Sequence, residues 1–302
     1  MRSGAVLSLD VGGTRVKAGL VEDTEVFDER TVDVGETFEA TLEKIRSVGS
    51  DISAGRKLPG AGMCVPGLVD EHGMVVSLPG KHSGIEGYDL PGFLRDQFGG
   101  KAVVVNDAVA YAVGEALAGA GVGFPRVVVM TIGTGVGVTV IESGGALGAG
   151  ELGGGILGGH IPISEQTDGY LDTNGRPDTL EALCLAQRVV DYANDAGGSY
   201  TTVSEVYEAF QRGESAAREG AARYRDHLIR GLVAVAHAHA PDAIVVGGGP
   251  LTPNNPLLKG VDGAVNQRLF GSFKVELRRA ELGDSAALIG IARLLARQED
   301  SV

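Results

Sequence analysis

An acidic residue followed by a glycine turn, near the start of the chain, provides the first chemistry that this sequence could perform. The apolar strand predicted over residues 6–10 ends at Asp10, and Gly12, Gly13 and Thr14 follow it. Glycines leave no Cβ in the bend, so backbone N–H groups can approach phosphate oxygens, and Thr14 adds a hydroxyl. The Asp10 carboxylate could hold a hydrated Mg²⁺ ion. Because Asp-x-Gly-Gly also forms ordinary hairpin turns, later motifs must decide between these interpretations.

Two later glycine turns offer similar donors after apolar strands. They contain Gly133, Thr134 and Gly135 in one case, and Gly247, Gly248 and Gly249 in the other. The first of them repeats the strand, glycine turn and strand of the chain's beginning: TIGTGVGVTVIE resembles DVGGTRVKAGLV. This internal repetition predicts a duplicated fold with a ligand between its halves.

A carboxylate that could act as a base follows another buried strand. Asn106 and Asp107 come directly after the apolar strand predicted over residues 102–105. Open α/β sheets bind ligands at the carboxyl ends of their strands, so Asp107 could accept the proton of a hydroxyl that attacks a phosphate. Asn106 could hydrogen-bond the same substrate. The alternative is that Asp107 only caps the helix predicted over residues 108–117, since Asp is a preferred capping residue.

The elements that must position these residues alternate between strands and helices, which predicts an α/β fold. Residues 36–48 illustrate the helical pattern, because Phe38, Leu42 and Ile45 fall on one face. Further strands are predicted over residues 16–21, 25–34, 61–65, 68–70, 74–77, 126–132, 136–141 and 243–246, and further helices over 92–98, 179–193, 203–212, 214–239 and 285–297.

The glycine-rich segment 119–125 predicts a hinge between two domains. The N-terminal α/β domain is expected over residues 1–118, completed by the C-terminal helix over 285–302. The C-terminal α/β domain is expected over residues 119–284. Each domain would then contain one of the two repeated strand–turn–strand units.

Composition excludes several classes of function. The chain has 302 residues, 43% of them apolar, which suits one large or two medium cores. Its formal net charge is −13, and no dense Lys/Arg run predicts binding to nucleic acid. No apolar run approaches the ~20 residues that span a bilayer, and no signal-peptide core precedes the first strand. Cys64 and Cys184 are expected to be buried free thiols, which suits a cytoplasmic protein.

Taken together, the motifs resemble those of the ROK family of sugar kinases, within the actin-like ATPase superfamily. The motifs, in order, are Asp10–Thr14, Pro66–Gly67, Asn106–Asp107, Gly133–Gly137 and Val246–Gly249. The resemblance covers nearly the whole chain. It implies two actin-like ATPase (ribonuclease H-like) domains with ATP, Mg²⁺ and a small sugar in an interdomain cleft. It also suggests a homodimer.

The same resemblance implies a role for each motif. The two glycine turns would be phosphate loops, with Lys17 beside the first. Residues 247–249 would contact adenosine. Asp10 would bind Mg²⁺ through water, and Asp107 would be the catalytic base, next to Asn106 at the substrate.

One departure from the family pattern concerns its zinc site. Family kinases carry Gly-Glu-x-Gly-His and then Cys-x-Cys-Gly-x-x-Gly-Cys-x-Glu, in which the His and three Cys bind zinc. Here the residues at the cysteine positions are Asp172, Asn174 and Thr179. Oxygen ligands with one histidine are a poor substitute for thiolates, so we predict no structural zinc.

The substrate residues depart from the pattern at one position. His160 and Glu181 align with residues that contact the sugar, but Leu157 stands where the family has an acid. Glu151 replaces that acid only if the glycine-rich insertion folds back. Leu157 therefore predicts a modified sugar or a cyclitol, and the alternative is a shifted alignment across the glycines.

These observations predict an ATP-dependent kinase that phosphorylates a hydroxyl of a monosaccharide or cyclitol. The family also contains repressors, which carry a helix-turn-helix before the first phosphate loop. The acidic charge and the short segment before residue 6 argue against that function here. A further alternative is a catalytically weak, sugar-binding pseudokinase or regulator of the same fold.

Overall fold

Strands and helices alternate along the chain in the computed structural model, which describes residues 4–56, 58–78, 84–142, 145–146, 156–165, 169–249 and 259–297. The strands are β1 Val6–Val11, β2 Arg15–Glu22, β3 Glu25–Asp33, β4 Gly60–Val65, β5 Leu68–Val69, β6 Val75–Ser77, β7 Lys101–Asn106, β8 Arg126–Ile132, β9 Val136–Glu142, β10 Gly145–Ala146, β11 Ala243–Gly247 and β12 Glu276–Arg279. The helices are α1 Phe38–Ser53, α2 Leu90–Phe98, α3 Asp107–Ala118, α4 Leu180–Cys184, α5 Arg188–Asp195, α6 Val203–Arg212, α7 Ser215–His239, α8 Val261–Arg268 and α9 Ala286–Arg297. Short 3₁₀ turns cover Ile156–His160 and Gly283–Ser285.

The chain divides into two compact units. Unit 1 contains the described residues of Met1–Val122, Ile141–Gly155 and Glu281–Val302, and unit 2 contains those of Gly123–Val140 and Ile156–Ala280. Each unit has its own sheet, its own helices and its own apolar core, which follows from the apolar residues in its strands.

The sheet of unit 1 is mixed, with strand order β3-β2-β1-β4-β7. The first three strands form the predicted antiparallel meander, whereas β1, β4 and β7 are parallel. In the register of these parallel strands Asp10 lies beside Cys64, and Val65 lies beside Asn106. The carboxyl ends of three neighbouring strands therefore meet at one edge of the sheet. On one face, α1 buries Phe38, as its periodicity predicted.

Helices α3 and α9 of unit 1 pack at backbone distance. A Cβ on Gly290 would lie 1.8 Å from the Ala110 carbonyl oxygen, and one on Gly114 would lie 2.0 Å from that of Ala286. Next to Gly114, the buried Glu115 carboxylate accepts hydrogen bonds from the backbone N–H groups of Ala120, Glu281 and Leu282. The chain segment that leads into α9 is thus held by close packing at two glycines and by the three backbone N–H groups that donate to Glu115.

Four strands of the second sheet lie in the order β9-β8-β11-β12, in which β11 is parallel to both β8 and β12. The core of unit 2 is closed by α7, which packs beside α4 and α5. Two buried tyrosines fix this packing, because Tyr224 donates to the Cys184 carbonyl and Tyr192 donates to the Leu183 carbonyl. Both hydroxyl groups are thereby satisfied inside an apolar core.

The single helix predicted over residues 179–193 is wrong in one respect. The helix is interrupted after Cys184 and resumes at Arg188. Between these residues, the N–H of Ala186 donates to the carbonyl oxygen of Gly133, 2.8 Å away. A continuous helix would direct that N–H to its own carbonyl four residues earlier. The interruption therefore ties the helical segment to the glycine turn after β8.

Candidate functional site

The carboxyl-end edge of the unit 1 sheet brings Asp10, Cys64 and Asp107 together. The Cys64 thiol is buried and lies 3.3 Å from Oδ1 of Asp10 as a hydrogen-bond donor. Burial and the charges of Asp10 and Asp107 raise the pKa of this thiol well above its ordinary value. Cys64 is therefore a neutral donor between two carboxylates.

Asp10 lies in an environment that disfavours its charge. Burial raises the pKa of its carboxyl group, and the negative charge of Asp284 raises it further. The hydrogen bond from Cys64 and the positive charge of Lys17 oppose this effect without cancelling it. A partly buried carboxylate with a raised pKa gains from a cation, so a divalent metal ion fits this position.

Asp107 is the first residue of α3, and burial raises the pKa of its carboxyl group to about 6. The negative charge of Asp10 adds to this rise, while hydrogen bonds from Ala108 and Asn106 oppose it. The cap of the helix is Asn106, whose Oδ1 accepts from the N–H of Ala108 and Val109. The interpretation of Asp107 as the capping residue is therefore wrong, and its carboxylate is left with acceptor capacity.

Both polar groups of the buried Asn106 side chain have hydrogen-bond partners within the protein. Its Nδ2 donates to the carbonyl oxygen of Gly67, 2.8 Å away, while its Oδ1 caps α3. Gly67 has a φ of +91°, a conformation that favours glycine. Asn106 therefore fixes the position of Asp107 and of the Pro66–Gly67 turn at the same time.

The first glycine turn joins β1 to β2. The N–H of Gly12 is bonded to the Arg15 carbonyl, 2.8 Å away, while Gly13 and Thr14 are exposed. Lys17 follows on β2, where its Nζ donates to the carbonyl oxygen of Asp284 and pairs with Glu29 at 3.3 Å. Gly13 and Thr14 thus present donors at the surface, whereas the Lys17 ammonium is shared with protein acceptors.

The second glycine turn, in unit 2, joins β8 to β9 and is hydrogen-bonded to the Glu181 carboxylate. The exposed Thr134 stands at its tip, and the N–H of Val136 donates to Oε2 of Glu181, 3.0 Å away. A Cβ on Gly135 would lie 2.8 Å from the same oxygen. Glycine is needed here because a carboxylate occupies the space of a side chain, and the Gly133 carbonyl is held by Ala186.

The third glycine segment follows β11 in unit 2. Gly248 has a φ of +111°, and a Cβ there would lie 1.9 Å from the Ile132 carbonyl oxygen. Gly249 is exposed, and a Cβ on it would meet no atom within 4 Å. Gly247 completes the strand and is buried. The segment therefore passes close to the end of β8, and Gly248 and Gly249 are accessible there.

His160 and Glu181, the predicted substrate residues of unit 2, contact the same loop after residue 171. Nδ1 of His160 lies 2.9 Å from Oδ2 of Asp172. Oε1 of Glu181 accepts from both the N–H and the hydroxyl of Thr173, at 3.0 and 2.8 Å. Glu181 is 5% exposed, so three donors occupy most of its acceptor capacity.

The residues at the positions of the family's cysteines form a hydrogen-bonded loop. Thr179 donates to Asp172 at 3.0 Å and caps α4 through the N–H of Ala182. The N–H of Asn174 also donates to Asp172, at 2.8 Å. Among the described residues, no group of three or more His, Cys, Asp or Glu side chains could hold a metal ion.

Some predicted residues lie elsewhere or outside the described parts of the chain. Leu157 is 49% exposed on the 3₁₀ turn before His160. Glu151 lies outside the described residues. No helix in the described ranges is both long and apolar enough to cross a membrane.

Sequence reasoning missed the partners that hold the predicted residues. Cys64 was interpreted only as a buried thiol, and Asp172 only as the position of a missing cysteine. Asp284, whose charge acts on Asp10, was not singled out. The parallel pairing of β1 with β4 places residue 64 beside residue 10, and this pairing is the signal that would identify Cys64 as the partner of Asp10.

Two solved structures share this architecture over nearly the whole chain. A ROK hexokinase from Thermus thermophilus is 28% identical, with 98% of this chain and 99% of that chain covered and a TM-score of 0.83. A ROK family glucokinase from Streptomyces griseus, in complex with glucose and AMPPNP, is 26% identical, with 98% and 100% covered and a TM-score of 0.79. The chain therefore has the actin-like ATPase fold of two α/β domains.

The family follows from the sequence match. The model of the ROK family matches residues 6–298, so this chain belongs to the ROK family. A glucokinase from Streptomyces coelicolor is similar over 99% of both chains, at 29% identity. The resemblance drawn from the ordered motifs is thereby confirmed.

Proposed function

We propose that this protein is an ATP-dependent kinase that transfers the γ-phosphate to a hydroxyl of a monosaccharide, with Asp107 as the general base. The observation that carries the proposal is the position of the Asp107 carboxylate, directly after β7 and close to Asp10, where burial raises its pKa to about 6. A base with this pKa is ionised near neutral pH and still basic enough to accept a hydroxyl proton. Family membership and the glucokinases among the relatives support the reaction class.

The glycine turns supply donors that phosphoryl transfer requires, since this chemistry depends on positioning and charge stabilisation. In unit 1, the exposed Gly13 and Thr14 would bind phosphate oxygens, with Gly12 shaping the turn. In unit 2, residues 133–135 would do the same, and residues 247–249 would contact adenosine. The AMPPNP of the Streptomyces griseus glucokinase supports ATP as the donor.

Mg²⁺ fits the carboxylate chemistry of Asp10, whose burial without full compensation favours a cation. Bound there through water, the ion would neutralise charge on the phosphates. Lys17 adds positive charge close to Asp10, and Cys64 orients the carboxylate by donating to Oδ1. Asp10, with Lys17 and Cys64 beside it, would therefore hold the metal ion, while Asp107 would accept the proton of the attacking hydroxyl.

His160 would bind the sugar, whereas Asn106 and Glu181 would act by positioning neighbouring groups. Asn106 acts through the placement of Asp107, because both ends of its amide are engaged. His160 keeps Nε2 for the substrate, since its Nδ1 faces Asp172. The relatives favour a hexose, whereas Leu157, at a position where the family has an acid, favours a modified sugar or a cyclitol. Glu151 stays a prediction, as do a homodimer and a cytoplasmic location.

The experiment is ADP release with Mg²⁺ and ATP across glucose, mannose, N-acetylhexosamines, ketoses and cyclitols. Turnover of a common hexose would support an ordinary sugar kinase and make Leu157 incidental. Turnover only with a cyclitol or modified sugar would support the interpretation of Leu157. Binding of ATP without turnover of any acceptor would contradict the proposal and favour a sugar-binding regulator. Light scattering of the same preparation checks the homodimer.

A further inference from the structure

The carboxylate of Asp172 in unit 2 is surrounded by hydrogen-bond donors. Its Oδ1 accepts from the N–H groups of Asn174 and Arg176, at 2.8 and 2.9 Å. Its Oδ2 lies 3.0 Å from the Thr179 hydroxyl and 2.9 Å from Nδ1 of His160. The side chain has no exposed surface. An ionised carboxylate has about four acceptor sites, so this group is saturated by its own loop.

The donors decide the protonation of Asp172. Burial raises the pKa of its carboxyl group, but the bonds from Arg176, His160, Thr179 and Asn174 together lower that pKa below its ordinary value. The group is therefore an ionised acceptor. Thr179 accepts from the N–H of Ala182, which leaves its own hydrogen for Asp172. An ionised oxygen cannot donate, so the hydrogen in the contact with His160 belongs to Nδ1.

We propose that Asp172 is a positioning residue that keeps a proton on Nδ1 of His160 and thereby selects the Nδ1–H tautomer, in which Nε2 is a hydrogen-bond acceptor for a sugar hydroxyl. This inference rests on the proposed function, in which His160 contacts the substrate. An acceptor recognises a free hydroxyl because a hydroxyl can donate a hydrogen bond, whereas a keto or ether oxygen cannot. The sugar position that faces His160 must therefore carry an unmodified hydroxyl rather than a keto or ether oxygen.

The variant Asp172→Asn reverses the direction of the hydrogen bond with His160 while keeping the size and shape of the side chain. Two backbone N–H groups face Oδ1, so the amide oxygen of Asn takes that place. Its NH₂ group then occupies the position of Oδ2 and donates to Nδ1 of His160. The ring proton must move to Nε2, which becomes a donor. We expect the KM for the sugar to rise about threefold to tenfold, the loss of one neutral hydrogen bond, with the KM for ATP unchanged.

Asp178→Asn is the matched control. Asp178 lies in the same segment and pairs with Arg176, whose side chain is 55% exposed, but no bond joins it to His160 in the described structure. It should leave the KM for the sugar unchanged. A second variant, His160→Gln, removes the ring. Adding Asp172→Asn to His160→Gln should then have little further effect on that KM, because the two residues act through one contact.

Long-range ¹⁵N–¹H NMR of the histidine rings tests the tautomer without any substrate. The His160 signals are assigned by their loss in His160→Gln. We expect Nδ1–H in the wild-type protein and Nε2–H in Asp172→Asn. A wild-type ring with its proton on Nε2 would overturn the inference, as would an equal rise in KM when Asp172→Asn is made in the His160→Gln background. If no sugar is phosphorylated, the proposed function fails, while the NMR result still decides the tautomer.

Discussion

The carboxylates that the motifs placed in unit 1 and in unit 2 differ in how many donors surround them. Asp10 and Asp107 lie at the ends of parallel strands, receive few hydrogen bonds, and have raised pKa values because burial disfavours their charge. Asp172 and Glu181 accept four and three hydrogen bonds from their own unit. An undersatisfied buried carboxylate can still bind a cation or a proton, whereas a saturated one holds the protein.

Glu115 shows that a carboxylate surrounded by hydrogen-bond donors also occurs in unit 1. It lies in unit 1, is fully buried, and accepts from three backbone N–H groups, of Ala120, Glu281 and Leu282. No motif includes it. It holds the segment before α9 as Glu181 holds the second glycine turn. Carboxylates that accept several hydrogen bonds and hold distant segments together therefore occur in both units.

The largest expected effect is the loss of turnover in Asp107→Asn. The amide cannot accept the hydroxyl proton, and removal of a general base reduces turnover by about 10² to 10⁴. Binding of ATP, measured by calorimetry, should be nearly unchanged because the proposal assigns phosphate binding to the glycine turns and not to Asp107. Asp96→Asn, an exposed change on α2, is the control. Near-normal turnover in Asp107→Asn would remove the base assignment.

The pH profile of the wild-type enzyme tests the same carboxylate more finely. Burial raises the pKa of Asp107 to about 6, so the group is ionised above that pH and protonated below it. A base must be ionised to act, and kcat/KM should fall about tenfold per pH unit below the pKa. Because Asp10 and Asp107 interact, the apparent pKa belongs to the pair. A profile that stays flat down to pH 4.5 would contradict an essential base of this kind.

A smaller effect, on stability rather than on chemistry, is expected for Glu181→Gln. Glutamine keeps one acceptor oxygen and presents an NH₂ group to a donor, either the N–H of Val136 or the Thr173 groups. An unsatisfied buried donor costs about 1–3 kcal/mol of unfolding free energy. Urea unfolding measures this loss. Glu208→Gln is the matched control, since its side chain is 71% exposed on α6. Equal stability of both variants would show that Glu181 is not a structural carboxylate.

The sequence predicted the fold, and it singled out the candidate motifs, because both depend on local patterns. Asp10 and Asp107 follow apolar strands, and the periodicity of α1 already gave its buried face. Saturation of Glu181, by contrast, depends on Val136 and Thr173, which are 45 and 8 residues away. The interruption between α4 and α5 likewise depends on the distant Gly133 carbonyl. Such long-range donors have no signal in a single sequence.

The smallest expected effect is that of metal removal on unit 2. Where the family pattern has cysteines, Asp172 accepts from Asn174 and Thr179, and it is further bonded to His160. These hydrogen bonds already satisfy the carboxylate, and no thiolate stands among them to favour zinc. A strong zinc chelator, without ATP present, should therefore leave the unfolding temperature unchanged and extract no stoichiometric zinc. In a separate assay with ATP, EDTA in excess over Mg²⁺ should abolish turnover, which provides the control for chelation. Release of one zinc ion per chain with a lower unfolding temperature would contradict this prediction. It would show that this loop holds a metal ion and that Asp172 accepts four hydrogen bonds only when the metal is absent.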